Sequence, residues 1–259
     1  MQTTAPVSNT TRWAARILSG LSVLFLLMDG VMKLFKPAPV VEATVQLGYP
    51  ASVVIPLGIV LTLCTIIYVI PRTAVLGAIL LTGYLGGAVA THVRAGGGWF
   101  PILFPVIFGV LLWGGLYLRE ARLHLLLPLT TQPSATSQQM LWVGRILSAL
   151  PVLMLLFSAV MKLMKPTPVV QEFARLGYQQ HAILRIGMLE LACTAIYLVP
   201  RTAVLGAILL TGYLGGATAT HVRVGDPLIN YVTIVFGVLI WGGLYWRDER
   251  LRSLIPLRS

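Results

Sequence analysis

Apolar positions along this chain gather into long runs, and clusters of Pro, Gly and basic residues cut them into stretches of roughly 17 to 25 residues, the length a helix needs to cross hydrocarbon. Eight stretches result, near 13–35, 51–70, 73–93 and 100–118, then 142–164, 181–199, 202–222 and 228–246. The pattern predicts an all-α integral membrane protein with eight transmembrane helices. Pro71-Arg72 and Pro200-Arg201 leave almost no chain between spans, so the second and third, and the sixth and seventh, are expected to be antiparallel neighbours. The polar opening, Met1 to Thr11, precedes a run too long for a signal-peptide core and without a clear cleavage site, which predicts an uncleaved first span.

The chain is also duplicated. Pro71-Arg72-Thr73 through Thr91-His92-Val93-Arg94 recurs as Pro200-Arg201-Thr202 through Thr220-His221-Val222-Arg223, with only Val89 against Thr218 changed. The same offset of 129 pairs Arg16 with Arg145, Lys33 with Lys162, Leu47-Gly48-Tyr49 with Leu176-Gly177-Tyr178, and Cys64 with Cys193. One deletion later, an offset of 128 pairs Trp113-Gly114-Gly115 with Trp241-Gly242-Gly243. The domains read as a first repeat at 1–128, a polar linker at 129–140 and a second repeat at 141–259. An even number of spans returns each unit to its starting side. The two units therefore share one orientation, as parallel-repeat four-helix bundles about an axis along the membrane normal. Many secondary transporters use inverted repeats instead, although parallel repeats also occur among carriers.

Composition agrees with this. Of 259 residues 57% are apolar and 10% charged, against about 25% charged in a soluble domain. The net charge of +11 is no nucleic-acid stripe, because the basic residues sit singly or in pairs at span ends, where they set topology. The face carrying both termini, the linker and the two tight turns holds 11 of the 19 basic residues. This predicts cytoplasmic termini in a multi-pass protein. Arg119 to Leu127 and Arg247 to Ile255 mix charge with Leu and are expected to lie in the interface as short amphipathic helices. Trp99, Trp113, Trp142, Trp241 and Trp246, with Tyr49 and Tyr178, suit an aromatic belt. Cys64 and Cys193 have no second thiol nearby and read as packing residues.

The run Asp29-Gly30-Val31-Met32-Lys33-Leu34, then Leu47-Gly48-Tyr49-Pro50, Cys64 with Tyr68, and Pro71-Arg72-Thr73 through Gly83-Tyr84-Leu85-Gly86-Gly87 to Thr91-His92-Val93-Arg94 resembles the DoxX-like family of small four-helix bacterial membrane proteins. The match runs through nearly the whole chain, twice. Relatives of that family occur in a thiosulfate:quinone oxidoreductase, in oxidative-stress complexes and in the assembly of partner membrane proteins. The resemblance implies a redox-associated protein of the bacterial inner membrane. It also implies an Asp in the first span and a Glu in the second, which are divided here: Asp29 faces Leu61 at the Glu position, and Glu190 faces Ser158 at the Asp position. If those acids form one site in a dimer of single units, the fused chain retains one asymmetric site in place of two equal ones.

Charged side chains inside spans are costly, so Asp29, Lys33, Lys162 and Glu190 are candidate site residues. Asp29 and Lys33 stand four apart and share a helix face. Lys162 has Ser158 at that spacing, and Glu190 from a neighbouring helix can supply its missing charge. Read structurally, these are buried pairs or lysines reaching toward the interface. Read functionally, they exchange protons or bind a polar ligand. His92 and His221 stand at equal depth, suited to a quinone carbonyl or a proton relay, and less to haem. Gly83-xxx-Gly87 and Gly212-xxx-Gly216 read as packing faces rather than phosphate loops.

No complete nucleophile, metal or cofactor motif is present. Three functions stand open: a redox-associated subunit with a quinone-like or proton-exchanging pocket, a non-catalytic scaffold or assembly factor, and a small-solute carrier. The partners implied are the lipid bilayer, a membrane or redox subunit, and a further copy of the chain.

Overall fold

The computed structural model describes residues 9–127 and 136–255; the polar opening before Asn9 and most of the linker lie outside them. The first half contains α1 (Asn9–Phe35), α2 (Ala38–Gln46), α3 (Val54–Val69), α4 (Ala74–Arg94) and α5 (Trp99–Arg119). The second contains α6 (Gln138–Met164), α7 (Thr167–Arg175), α8 (Gln180–Leu198), α9 (Ala203–Val224), α10 (Pro227–Arg247) and the short α11 (Glu249–Arg252). Eight of these helices are long and apolar enough to cross a membrane. They match the eight expected spans, with α1 and α6 each beginning a turn earlier than its apolar run.

Two helices were not anticipated. Pro37 and Pro166 stop α1 and α6, since proline cannot extend the preceding hydrogen-bond ladder, and each then caps the start of a nine-residue helix across the far face. Their polar and apolar positions are too few to register as separate elements. They end at Gly48 and Gly177, whose positive φ lets the chain turn back and drop Tyr49 and Tyr178 into the protein.

Within each half, α1, α3, α4 and α5, or α6, α8, α9 and α10, form a four-helix bundle. Large apolar side chains such as Leu24, Val110, Ile146, Phe157 and Val238 point outward, and the interior is filled by Leu81, Ala78, Leu210, Ala207 and their neighbours. A soluble protein would reverse this; a lipid solvent makes outward apolar faces the stable arrangement. The segments after α5 and α10 form short helices, as expected, and their leucines face the protein. Leu123, Leu126, Leu251 and Leu254 are buried in the core, so these turns close the bottom of each bundle.

The halves meet along α4 and α9. A Cβ on Gly86 would lie 2.0 Å from the Gly212 carbonyl oxygen, and one on Gly215 would lie 2.0 Å from that of Gly83. These reciprocal contacts relate the halves by a pseudo-twofold axis with parallel repeats. The expected faces are packing faces, as read, but the closest contact falls to Gly86 and Gly215, one position off the Gly83 and Gly212 stripes. At the far end the seam is tied by tyrosines. The Tyr49 hydroxyl lies 2.8 Å from Thr91 Oγ1 and 3.1 Å from the Ala219 carbonyl, while Tyr178 lies 2.9 Å from Thr220 Oγ1 and 3.4 Å from the Ala90 carbonyl. These two tyrosines bind the repeats together and do not join an outer belt. Trp113 and Trp241 also turn inward, donating to Thr82 at 2.9 Å and Thr211 at 2.8 Å, whereas Trp99 and Trp142 are exposed.

Gly86→Ala combined with Gly215→Ala forces the seam apart and is expected to cost about 3 kcal/mol or more, read as a large drop in the apparent unfolding midpoint in detergent. Gly237→Ala, with nothing within 4 Å of the added carbon, leaves the midpoint unchanged.

Candidate functional site

The two intramembrane lysines enter the bundles for a local reason. Gly58 lies against Lys33 and Gly187 against Lys162, each so close that an added Cβ would stand 2.8 Å from the lysine Cβ. The missing side chain on the facing helix opens room for the lysine stem, and the ammonium then needs an acceptor within the bundle.

The halves answer that need differently. In the second, Lys162 Nζ donates to Glu190 Oε2 at 2.9 Å and also to Ser158 Oγ, and Ser158 Oγ donates to Glu190 Oε2 at 3.3 Å. The Tyr213 hydroxyl reaches the same carboxylate. Glu190 is 1% exposed and Lys162 13%, so this is an ion pair in a dry interior that pins α6 to α8. In the first half, Lys33 donates to Asp29 on its own helix, and Asp29 is 36% exposed. Leu61, the counterpart of Glu190, is fully buried beside Thr62, whose hydroxyl is buried without a hydrogen-bond partner. Tyr84 occupies the position of Tyr213 and stands near Asp29. Each half therefore presents lysine, carboxylate and tyrosine, bridged between helices only in the second.

His92 and His221 occupy equivalent helix ends with different partners. The His92 ring makes no hydrogen bond among the described residues. His221 Nδ1 lies 3.2 Å from Asp226 Oδ2, because the shortened loop after α9 brings Asp226 over it. Asp226 also accepts from Arg175 at 2.6 Å, and Arg175 pairs with Glu172 at 2.7 Å, tying α7 to the end of α9. Arg175 first, then His221, hold the Asp226 carboxyl below the usual carboxylate range. Arg175 does the same to Glu172.

A cleft of about 910 Å³ runs between α4 and α5 of the first half and α8 and α9 of the second, with α7 at one end. Its lining is almost wholly apolar. Lys162, Tyr213, His221, Glu172 and Trp113 all reach its wall. Asp29, Lys33 and His92 do not line it, so the six sequence candidates are divided: Lys162 and His221 meet the cleft, Glu190 stands directly behind Lys162, and the other three belong to the first half. Sequence reasoning passed over Tyr84 and Tyr213. Their recurrence in both repeats, one helix away from an acid, was the available signal.

Removing one member of a dry ion pair strands the other, at about 3–5 kcal/mol. Glu190→Leu is therefore expected to destabilise strongly, and adding Lys162→Met to recover most of the loss; unfolding midpoints of both variants check this. Asp29→Asn, at a partly solvated pair, costs under about 1 kcal/mol. Asp226 adds stability above its ordinary value of 3.8, and that contribution disappears as pH falls through its lower folded value. The midpoint gap between the parent chain and Asp226→Asn should accordingly be present at neutral pH and close as pH drops below 3.8.

The DoxX-like family matches residues 17–115 and again 146–243. Comparison with curated proteins and with solved structures finds no match for this chain. The two matches cover both bundles and leave out the linker, and the helices around them are those of an integral membrane protein. The chain belongs to the DoxX-like family, as a tandem duplication of its unit.

Proposed function

We propose that this protein is a redox-associated subunit of the bacterial inner membrane, with its termini on the cytoplasmic side, and that it receives a quinone-like molecule in the cleft between its halves. The observation that carries this reading is a dry Lys162–Glu190 pair standing at the wall of an otherwise apolar cleft of about 910 Å³. Pockets for flat lipophilic ligands are of this kind, about 300–1,000 Å³ with a few polar groups that fix orientation. A hydrophilic solute would find few partners along such a lining, which favours a lipophilic ligand over a carrier's cargo.

The chemistry follows from the residues. The Lys162 ammonium, paired with Glu190, donates to a ring carbonyl oxygen and favours negative charge arriving there. Tyr213 and His221 supply further donors on the same wall, and the Asp226 and Arg175 cluster links His221 to the far-face solvent. Reduction of a quinone to a quinol takes two electrons and two protons. In this reading His221, in contact with Asp226, returns protons to the cleft, and a partner redox subunit supplies the electrons.

The test uses the purified full chain in mild detergent and a short-chain benzoquinone, read by tryptophan fluorescence, since Trp113 lines the cleft. Saturable quenching is expected, weakened about tenfold, or about 1.4 kcal/mol, by Lys162→Met combined with Glu190→Leu, which leaves no stranded charge, and abolished by Ala217→Trp, which fills the cleft. Quenching that does not saturate, or that both variants retain, overturns the reading.

A further inference from the structure

The far-face end of the α4–α9 seam holds two arginines that the cleft does not use. Arg94 is the last residue of α4, and Arg223 occupies the equivalent place in α9. They meet across the pseudo-twofold axis. A Cβ on Gly48 would lie 3.6 Å from both terminal nitrogens of Arg94 and 3.6 Å from Cδ of Arg223. One on Gly177 would lie 3.5 Å from a terminal nitrogen of Arg223 and 3.7 Å from Cδ of Arg94. The two side chains thus pass each other beneath the two left-handed turns, with no side chain on either glycine to cover them.

Each guanidinium is steadied by one backbone acceptor of its own half. Arg94 donates to the Leu47 carbonyl, and Arg223 donates to that of Leu176 at 2.8 Å. A guanidinium carries five N–H donors, so most remain uncommitted, and Nε of Arg223 is shielded from solvent without any acceptor. No carboxylate pairs with either arginine among the described residues: the ion pairs there join Lys33 to Asp29, Lys162 to Glu190, Arg175 and His221 to Asp226, Arg175 to Glu172, and Arg250 to Asp248. Two like charges brought together in a half-buried place repel unless an anion joins them. Lys33, Lys162 and Arg175 each have an acid beside them; here the neighbour is a second cation.

We propose that Arg94 and Arg223 together bind a phosphate-type oxyanion at the twofold end of the repeat interface. Two planar guanidiniums offer forked donor pairs that match the several oxygens of a phosphate group better than one lysine would. The tyrosine straps at Tyr49 and Tyr178 and the turns at Gly48 and Gly177 hold both arginines in place, so little side-chain freedom is lost on binding. The same chemistry reaches this face of a bilayer from two sources: free inorganic phosphate, and the headgroup of an anionic phospholipid. Val93, next to Arg94, and Leu176, whose carbonyl accepts from Arg223, both line the cleft, so a lipid held by its headgroup has an apolar path for an acyl chain.

The experiment takes the full chain, delipidated in a neutral detergent, and follows its apparent unfolding midpoint with four additions: inorganic phosphate, chloride at the same ionic strength, phosphatidylglycerol and phosphatidylcholine. Native mass spectrometry of the parent chain runs alongside. A saturable rise with phosphate or phosphatidylglycerol is expected, with one adduct per chain, and no rise with chloride or phosphatidylcholine. A rise with phosphatidylglycerol alone identifies the lipid as the source; a rise with phosphate shows that the oxyanion suffices. Arg94→Gln with Arg223→Gln should weaken the response at least tenfold, and Arg94→Lys with Arg223→Lys, which keeps the charge and loses the forks, should weaken it less. Arg72→Gln with Arg201→Gln, at exposed positions on the opposite face, leaves it intact. The proposal is overturned if neither phosphate nor phosphatidylglycerol raises the parent midpoint, if no single adduct is retained, or if the glutamine variant responds like the parent.

Discussion

Everything in this molecule is arranged around a seam where two helix backbones touch. Lipid offers no hydrophobic reward for joining helices, so association rests on close packing and on polar groups that find partners. Gly86 and Gly215 supply the first, bringing α4 and α9 to backbone contact. Tyr49 and Tyr178 supply the second, each crossing from its own half to a carbonyl of the other. Because α4 and α9 each pack on two further spans of their own half, fixing this one pair fixes the relation of the two bundles, and with it the cleft that opens beside the seam.

Within each half, the buried tyrosines are tolerated because each finds a partner there. Tyr68 donates to the Leu112 carbonyl at 2.9 Å and Tyr197 to that of Ile240 at 3.0 Å, with Arg119 and Arg247 stacked over their rings. Gly77 and Gly206 let the backbone of each tyrosine press against the following helix. Each half is thereby closed at the terminal face by a tyrosine and an arginine, and at the far face by a tyrosine and an arginine again. In the middle of the seam the closest approach is left to glycine, flanked by Thr82 and Thr211, whose hydroxyls are taken up by Trp113 and Trp241.

Much of this was legible in the chain itself. Run lengths gave eight spans, and the 129-residue offset gave two parallel units, because both depend on composition and spacing alone. Spacing also foresaw both ion pairs: Asp29 to Lys33 by helical periodicity, and Glu190 to Lys162 by the charge each lacked. What escaped was set by tertiary context. The short helices α2 and α7 exist because proline ends one helix and begins the next within a few residues. Trp113, Trp241, Tyr49 and Tyr178 sit at belt positions in sequence, yet a threonine or carbonyl inside the protein draws each of them inward. The pairing of Arg94 with Arg223 depends on a symmetry axis passing between them, which sequence reveals only once the contacting helices are known.

One consequence of the seam concerns motion. Carriers made of parallel halves commonly expose their cargo by rocking one half against the other about the line where they meet. Here that line is held at two heights, by glycine against carbonyl in the middle and by crossed tyrosines at the far end. Tilting the halves would open one fastening or drive backbone into backbone at the other. The two fastenings together make the seam a stiff frame that holds the bundles in one arrangement.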